Sequence, residues 1–469
     1  MLRSLLAFFA TTVAAFAASP PVNILLIVVD DLNVALGAYG DPLAKTPHLD
    51  RLAARGVVFE RAYSQYPLCN PSRVSFLSGR RPETTGVYIL TTPARTVLPD
   101  AVLLPQFYRE RGYFTAGAGK IFHNVRVNDA ASWDAYQDAP PEDPEELAAT
   151  RSRQQGGDGR PAWTVLSTEG ERTRDVVNAR QAEAWIAAQA AAGKPFFVAA
   201  GFHLPHLPWT APRRFFDLHR EADFAVPSYP DMRDIPAIAL QTELTGFAQP
   251  DSPAAARRAY YACVSFVDEQ IGRLLDALER TGTADRTVVA LISDHGFHLG
   301  DHGGLWAKLS AFDQATRVPF LLAGPGVPAG RRVASPVELL DLFPTLTALT
   351  GHAAPPGLEG DSLTATWSPG ATTEGQAYSL VYHYDQQRDI DVEARTVITR
   401  DWRYTEWDGG RTARELYLRD GDAGEYRNVA ADSGMRTVVQ TGADLLRRHP
   451  QPKPGPANRP RALVPAKAK

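Results

Sequence analysis

Asn23-Ile24-Leu25-Leu26-Ile27-Val28-Val29-Asp30-Asp31 is an unbroken aliphatic run that stops at two adjacent carboxylates. A run without polar alternation predicts a strand buried on both faces, and such strands belong to parallel sheets covered by helices. Similar runs recur at 113–118, 195–202, 287–293 and 318–323. Helical patterns lie between and after them, at 47–55, 71–78, 102–111, 173–191, 253–280 and 336–349. Strand alternating with helix is the α/β pattern. The expected fold is α/β, a large mainly parallel or mixed sheet sandwiched by helices. A small C-terminal α+β domain with an antiparallel sheet follows it.

Four of these strands end in polar clusters. The first gives Asp30-Asp31, the second Lys120 and His123, the third His203 and His206, the fourth Asp294-His295. In open α/β sheets ligands bind outside the carboxyl ends of the strands. Four clusters far apart in sequence are therefore expected to share one site.

The chain has 469 residues, enough for one large domain and a smaller one. A net charge of −4 supplies no basic field, which argues against nucleic acid as a partner. Residues 1–18 read as a signal peptide, with Arg3, an apolar segment at 5–17 and Ala15-Phe16-Ala17 as a cleavage pattern. That segment is too short for a comfortable membrane span. A periplasmic or secreted protein without stable membrane insertion after cleavage is expected. Residues 22–350 form the expected catalytic domain. The Gly-, Pro-, Ser- and Thr-rich stretch 351–376 reads as a linker. Residues 377–448 alternate as antiparallel strands at 378–384, 394–399, 402–407 and 415–418, with a helix near 435–448. The Pro- and Lys-rich end, 449–469, is expected to be disordered. The acidic, polar stretch 139–159 reads as an exposed excursion.

Only two cysteines occur. Cys263 lies in Tyr260-Tyr261-Ala262-Cys263-Val264-Ser265-Phe266, an apolar helix face where a buried inert thiol is expected. Cys69 is different. It opens Cys69-Asn70-Pro71-Ser72-Arg73, followed by Leu77-Ser78-Gly79-Arg80. A core cysteine needs no Pro and Arg at fixed distances, and a metal cysteine needs a partner nearby.

Asp30, Asp31 and Asp294 are hard oxygen donors suited to Ca2+ or Mg2+ rather than zinc. A lone Asp at a strand end more often caps a helix, but three converging at such ends favour metal binding. Arg73, Lys120, Lys308, His123 and His203 are the remaining candidates. A tetrahedral oxyanion ester needs cations on its nonbridging oxygens, an acid for the leaving oxygen and a base for the nucleophile. Taken singly, Lys120 and Lys308 would read as surface lysines. His48, His206, His298 and His302 read as loop or supporting residues rather than catalysts.

Cys69-Asn70-Pro71-Ser72-Arg73 resembles the sulfatase signature C-x-P-S-R, in which the cysteine is oxidised to formylglycine. Together with Val28-Val29-Asp30-Asp31-Leu32, Gly119-Lys120, Ser293-Asp294-His295-Gly296 and Leu299-Gly300-Asp301-His302-Gly303, it makes residues 23–430 similar to the formylglycine-dependent type I sulfatases of the alkaline phosphatase superfamily. Gly119-Lys120-Ile121-Phe122-His123 and Gly201-Phe202-His203-Leu204-Pro205-His206 resemble the iduronate-2-sulfatase-like branch.

The resemblance implies an alkaline-phosphatase-like fold and a sulfuric ester hydrolase acting on a sulfated glycan or glycosaminoglycan-type sugar. It implies that a formylglycine-generating or anaerobic maturase converts Cys69. The formylglycine hydrate attacks sulfur near Arg73, His203 protonates the leaving alcohol, and His123 serves as base when sulfate departs. Lys120 and Lys308 bind sulfate oxygens. Asp30, Asp31, Cys69, Asp294 and His295 hold Ca2+, with Mg2+ as the alternative. Two departures bear on the sugar. Leu204 replaces a basic residue common in this branch, and Gly303-Gly304 is one residue longer. The rival readings are a phosphonate or phosphodiester hydrolase of the same superfamily and a non-catalytic protein that binds sulfated glycans. The complete set of candidate residues argues against the latter. A zinc phosphatase is disfavoured because its further histidines and second acidic cluster are not evident.

Overall fold

The computed structural model describes residues 21–154, 160–225, 229–241, 249–368, 370–371, 374–385 and 390–453. The expected leader, 1–18, and residues 454–469 of the expected tail lie outside them. The main sheet contains β1 (Asn23–Val29), β2 (Gly56–Phe59), β3 (Phe114–Gly119), β4 (Ala135–Gln137), β5 (Phe196–Phe202), β6 (Thr287–Ser293), β7 (Phe320–Ala323) and β8 (Arg331–Val333). Their order is β8-β2-β7-β6-β1-β5-β3-β4. The helices that matter for the site are α1 (Pro47–Ala54), α2 (Cys69–Ser78), α3 (Pro144–Gln154), α4 (Arg174–Ala192), α5 (Pro253–Arg280), α6 (Leu342–Leu349) and α7 (Arg436–Arg448).

The apolar run of β1 sits at the centre, parallel to β5 on one side and β6 on the other. Every residue of it is buried. Leu25, Ile27 and Val29 face a core shared with α1, α4 and α5. Ile24, Leu26 and Val28 face the opposite core, with Val74, Phe76 and Leu77 of α2 and Phe343 of α6. Two helical layers on one strand explain the absence of polar alternation.

β7 alone runs antiparallel to its neighbours, β2 and β6. After β6 the chain stays at the carboxyl edge through residues 294–319 and re-enters the sheet from that edge. A parallel return would need a crossover to the opposite edge. The helix expected over 336–349 is shorter. Val337–Glu338 pairs with Ala62–Tyr63, a 3-10 turn spans Leu339–Asp341, and α6 starts after it. A reciprocal capping box between Glu338 and Asp341 sets where the helical turns begin, with the Glu338 N–H donating to Asp341 at 2.8 Å.

Beyond α6 the chain hugs the main body before the second sheet. Glu359 accepts from the Arg81 N–H at 2.5 Å and the Thr84 hydroxyl at 2.6 Å, and the Asp361 N–H donates to Asp341 at 2.8 Å. The second sheet is antiparallel, in the order β9 (Ala377–Asp385), β10 (Ile390–Ile398), β11 (Trp402–Trp407) and β12 (Ala413–Leu418). α7 covers it by packing Ala443 and Leu446 on Val397, Tyr404 and Leu416. Among the described residues no helix is long and apolar enough to cross a membrane.

Candidate active site

The register of the sheet brings the clusters level. Val29 lies opposite Ser293 and Phe202, so Asp30-Asp31 leave the sheet beside Asp294-His295 and His203. Gly119 lies opposite Gly201, which brings Lys120 alongside. Gly119 has φ +78, and a Cβ there would lie 2.0 Å from the Gly201 carbonyl oxygen. Only glycine lets these two strands approach where Lys120 leaves the sheet. Asp31 also has positive φ, 60°, a strained conformation for a residue with a side chain. Its N–H donates to Asp294 Oδ1 at 3.3 Å, which ties two acidic ends together.

Cys69 begins α2. Pro71 sits in the first helical turn, where a missing N–H leaves no bond unmade. The thiol is only 1% exposed. His295 Nε2 and Lys308 Nζ each lie 3.4 Å from its sulfur, and Lys120 Nζ lies 3.7 Å away. One turn along α2, Arg73 places Nε 2.9 Å from Asp294 Oδ2 and Nη2 3.3 Å from Asp30 Oδ1. Its Nη1 donates to the carbonyls of Lys120 and Ile121. Lys120 pairs with Asp30, and Lys308 with Asp31 at 2.5 Å.

These contacts set the charges. Burial and the Asp30 carboxylate push the Cys69 thiol up, but Lys120, Lys308 and His295 outweigh them and bring it down to about 7. Burial raises Asp30, yet Lys120, His206, Arg73 and Lys308 hold it well below the usual carboxylate range. Burial disfavours the charged form of His295, but Asp294 and Cys69 lift it to about 9. Burial and Lys120 lower His123 to about 3, and its Nδ1 is buried without a hydrogen-bond partner. His123 is therefore a neutral imidazole with one free nitrogen in a cationic surrounding.

The ligand atoms of Asp30, Cys69, Asp294 and His295 lie within 4.8 Å of one another, as do those of Asp30, Asp31, Cys69 and His206. Asp30 is common to both groups, and each holds two buried carboxylates, hard oxygen donors that suit a cation such as Ca2+ or Mg2+. The residues present thus fit a divalent metal.

The structure gathers Asp30, Asp31, Cys69, Arg73, Lys120, Asp294, His295 and Lys308 into one connected cluster. His203 stands outside the metal-ligand groups. Its Nδ1 lies 3.3 Å from Asp175 Oδ1 and its Nε2 3.4 Å from Asp138 Oδ1. His206, a loop residue, lies with Asp30, Asp31 and Cys69. Its Nδ1 lies 2.6 Å from the Leu207 carbonyl. Both histidines flank Pro205, and only the backbone path decides which one faces the cluster. Asp138 and Asp175 escaped the sequence reading, since neither sits in a motif. His298 and His302 share Asp301, and they reach Ser310 at 2.6 Å and the Glu425 carbonyl at 3.2 Å. Cys263 is free and buried, and burial raises its thiol pKa, so it is inert.

The family model for Sulfatase matches residues 22–352. The chain belongs to the sulfatase family. It is a sulfuric ester hydrolase. A further model, for the C-terminal part of N-sulphoglucosamine sulphohydrolase, matches residues 300–450. The sulfatase is 32% identical to iduronate 2-sulfatase of Homo sapiens, over 88% of this chain and 91% of that protein. It is 27% identical to a Delta 4,5-hexuronate-2-O-sulfatase of Bacteroides thetaiotaomicron, over 92% of this chain and 89% of that one. Among solved structures, the phosphonate monoester hydrolase of Agrobacterium radiobacter superposes with a TM-score of 0.74 at 23% identity, over 91% of this chain and 95% of that one. A 2-O GAG sulfatase superposes with a TM-score of 0.70 at 24% identity, over 91% of each chain. These two likenesses establish the alkaline-phosphatase-like fold.

Proposed function

We propose that this sulfatase removes sulfate from a sugar, using residue 69 as formylglycine. The observation that carries the reading is the position of the Cys69 sulfur, where two lysines, His295 and the Asp30 carboxylate converge. The sugar is supported by relatives named for uronate sulfates. Formylglycine hydrate at 69 would supply an oxygen nucleophile to sulfur and a route to release sulfate as the aldehyde re-forms. Asp30, Asp31, Asp294, His295 and residue 69 would hold a divalent cation, Ca2+ or Mg2+, which would lower the charge of the attacked group.

The chain's own residues account for the rest. Lys120 and Lys308 neutralise nonbridging sulfate oxygens, since both amines reach residue 69. Arg73 holds Asp30 and Asp294 in place and adds a fixed positive charge beneath the nucleophile. His203, held between Asp138 and Asp175, is placed to donate a proton to the departing sugar oxygen. His123, neutral with a free Nδ1, accepts a proton from the second hydroxyl at residue 69.

The burial of Cys69 and the whole first turn of α2 supports conversion before folding is complete, by a maturase that meets the extended chain. The leader pattern at 1–18 supports export. The test is mass spectrometry of tryptic peptide 62–73 from protein made in its native host or with a maturase. An aldehyde in place of CH2SH supports the reading, whereas an unmodified thiol in active protein defeats it. Rates on an aryl sulfate and an aryl phosphonate ester, side by side, decide against the rival hydrolase.

A further inference from the structure

The edge strand β4 also delivers a side chain to the carboxyl edge of the sheet. β4 runs parallel to β3, with Gln137 opposite Ala118, so Asp138 leaves the sheet level with Gly119. Asp30, Lys120, His203 and Asp294 emerge on the same edge, where open α/β sheets bind ligands. There Asp138 Oδ1 lies 3.4 Å from His203 Nε2.

One helix fixes both partners. Asp175, in the first turn of α4, accepts from the N–H groups of His203 and Leu204, each at 2.9 Å, and faces His203 Nδ1 at 3.3 Å. One turn along, on the same face of the helix, Asn178 accepts from the Ala139 N–H at 3.0 Å. This holds the chain next to Asp138. The Tyr136 hydroxyl ties β4 down as well, donating to the Gly119 carbonyl at 3.0 Å. The approach of Asp138 to His203 is therefore set by α4 and β3 together, and it does not depend on a free loop.

The two carboxylates beside His203 differ in their partners. Asp175 takes donors on both oxygens. Asp138 Oδ1 is buried and has no hydrogen-bond partner among the described residues, because the 3.4 Å approach of His203 lacks hydrogen-bond geometry. Buried polar atoms are nearly always paired, and an unpaired one beside a reacting centre points to a group that arrives with the ligand. The side chains of His203 and Asp138 are 17% and 13% exposed, whereas Cys69 is closed off. The pair lines the mouth of the site, above a buried nucleophile.

We propose that Asp138 is a specificity-determining residue that accepts a hydrogen bond from a free hydroxyl on the ring carbon next to the sulfate ester, and turns away a second sulfate there. This rests on the reading of the chain as a sugar sulfatase with His203 as its acid. A leaving oxygen within about 3 Å of His203 Nε2 stands beside Asp138, and so does the substituent on the adjacent carbon. An ionised carboxylate only accepts, so a donor satisfies it and an anion does not. A sulfate at that position would set like charges together in a partly desolvated mouth. Selection of this kind works because the wrong group leaves a buried polar atom unpaired.

The test takes the monosulfated methyl glycoside that the formylglycine-bearing enzyme turns over fastest, with the neighbouring hydroxyl free, removed or sulfated. The wild-type enzyme should prefer the free hydroxyl to the deoxy form roughly 10- to 100-fold in kcat/KM, the size of one hydrogen bond to a charged group. It should reject the disulfate at least as strongly. Asp138→Ala should erase the preference over the deoxy form. Asp138→Asn keeps the shape and an acceptor oxygen but loses the charge. It should keep part of that preference and lose most of the discrimination against the disulfate. If Asp138 only holds His203, both variants slow all three substrates by one factor. Unchanged ratios therefore overturn the proposal, as does a wild-type enzyme without either preference. Turnover of 4-nitrophenyl sulfate but of no sugar sulfate overturns it together with the sugar, and failure on both strikes the sulfatase reading instead. Melting curves of each variant show that the comparison is between folded proteins.

Discussion

Replacing Arg403 with Met should weaken the joint between the two sheets and disturb the loop that carries Lys308. Arg403 and Glu425 form an ion pair at 2.8 Å, with side chains 0% and 2% exposed. Both partners also grip one loop of the catalytic domain. Arg403 Nη1 donates to the Ala311 carbonyl, and Glu425 Oε2 accepts from the Asp313 N–H at 2.8 Å. Arg419 adds two bonds to Asp313, at 3.1 and 2.9 Å. Arg403→Met leaves the Glu425 carboxylate buried without its main partner, a change worth about 3–5 kcal/mol. For a chain of this size that is a fall in Tm of about 3–5 °C.

The sign of the pH dependence follows from the same pair. Burial already raises the Glu425 pKa, and Arg403 opposes it. Loss of Arg403 raises it further. An acid with a folded pKa above its unfolded value binds its proton more tightly when folded, so stability falls as pH rises through that interval. The deficit of Arg403→Met should therefore be larger at pH 8 than at pH 5. Arg403→Met/Glu425→Leu should recover most of it, leaving the cost of the stranded Asp313 N–H and Ala311 carbonyl. The assay is thermal unfolding at both pH values. A fall below about 2 °C, or a double variant no better than the single one, refutes the reasoning. Turnover should fall as well, because Ala311 lies three residues from Lys308.

Other outcomes follow from the site. Cys69→Ala should abolish turnover with an unchanged melting curve, and residual turnover in well-folded protein would rule out residue 69 as nucleophile. Asp31→Asn should weaken Ca2+ binding by more than the roughly 10- to 100-fold typical of outer-shell changes, read by titration calorimetry without substrate. Gly119→Ala forces a Cβ to 2.0 Å from the Gly201 carbonyl; it should destabilise by about 2 kcal/mol or more and reduce activity through Lys120. Asp268 accepts from the N–H groups of His48 and Leu49 at 3.1 and 2.8 Å, capping α1 from α5. Asp268→Ala should cost about 1–2 kcal/mol in unfolding free energy and leave turnover intact.

Much of the site was readable because its residues sit at the ends of long buried strands. Asp30, Asp31, Lys120 and Asp294 each follow an apolar run, and a sheet with those runs in register must bring their ends together. Cys69 and Arg73 were readable from one motif, since a helical turn separates them and puts both on the side facing the strand ends. His206 read as a loop residue, and its approach to Asp30 and Asp31 was not legible, because its face is set by the path around Pro205 rather than by residue type.

The amino-acid sequence by itself determined the layered α/β arrangement, the strand-end clusters and the special status of Cys69. These are local properties: an apolar run buries itself, and a motif keeps its spacing wherever the chain goes. Only the tertiary structure decided the antiparallel course of β7, the late start of α6 and the inward face of His206. Each of these depends on contacts between residues far apart in the chain, where the path of the backbone and the partners already in place select one arrangement among several that the local sequence allows.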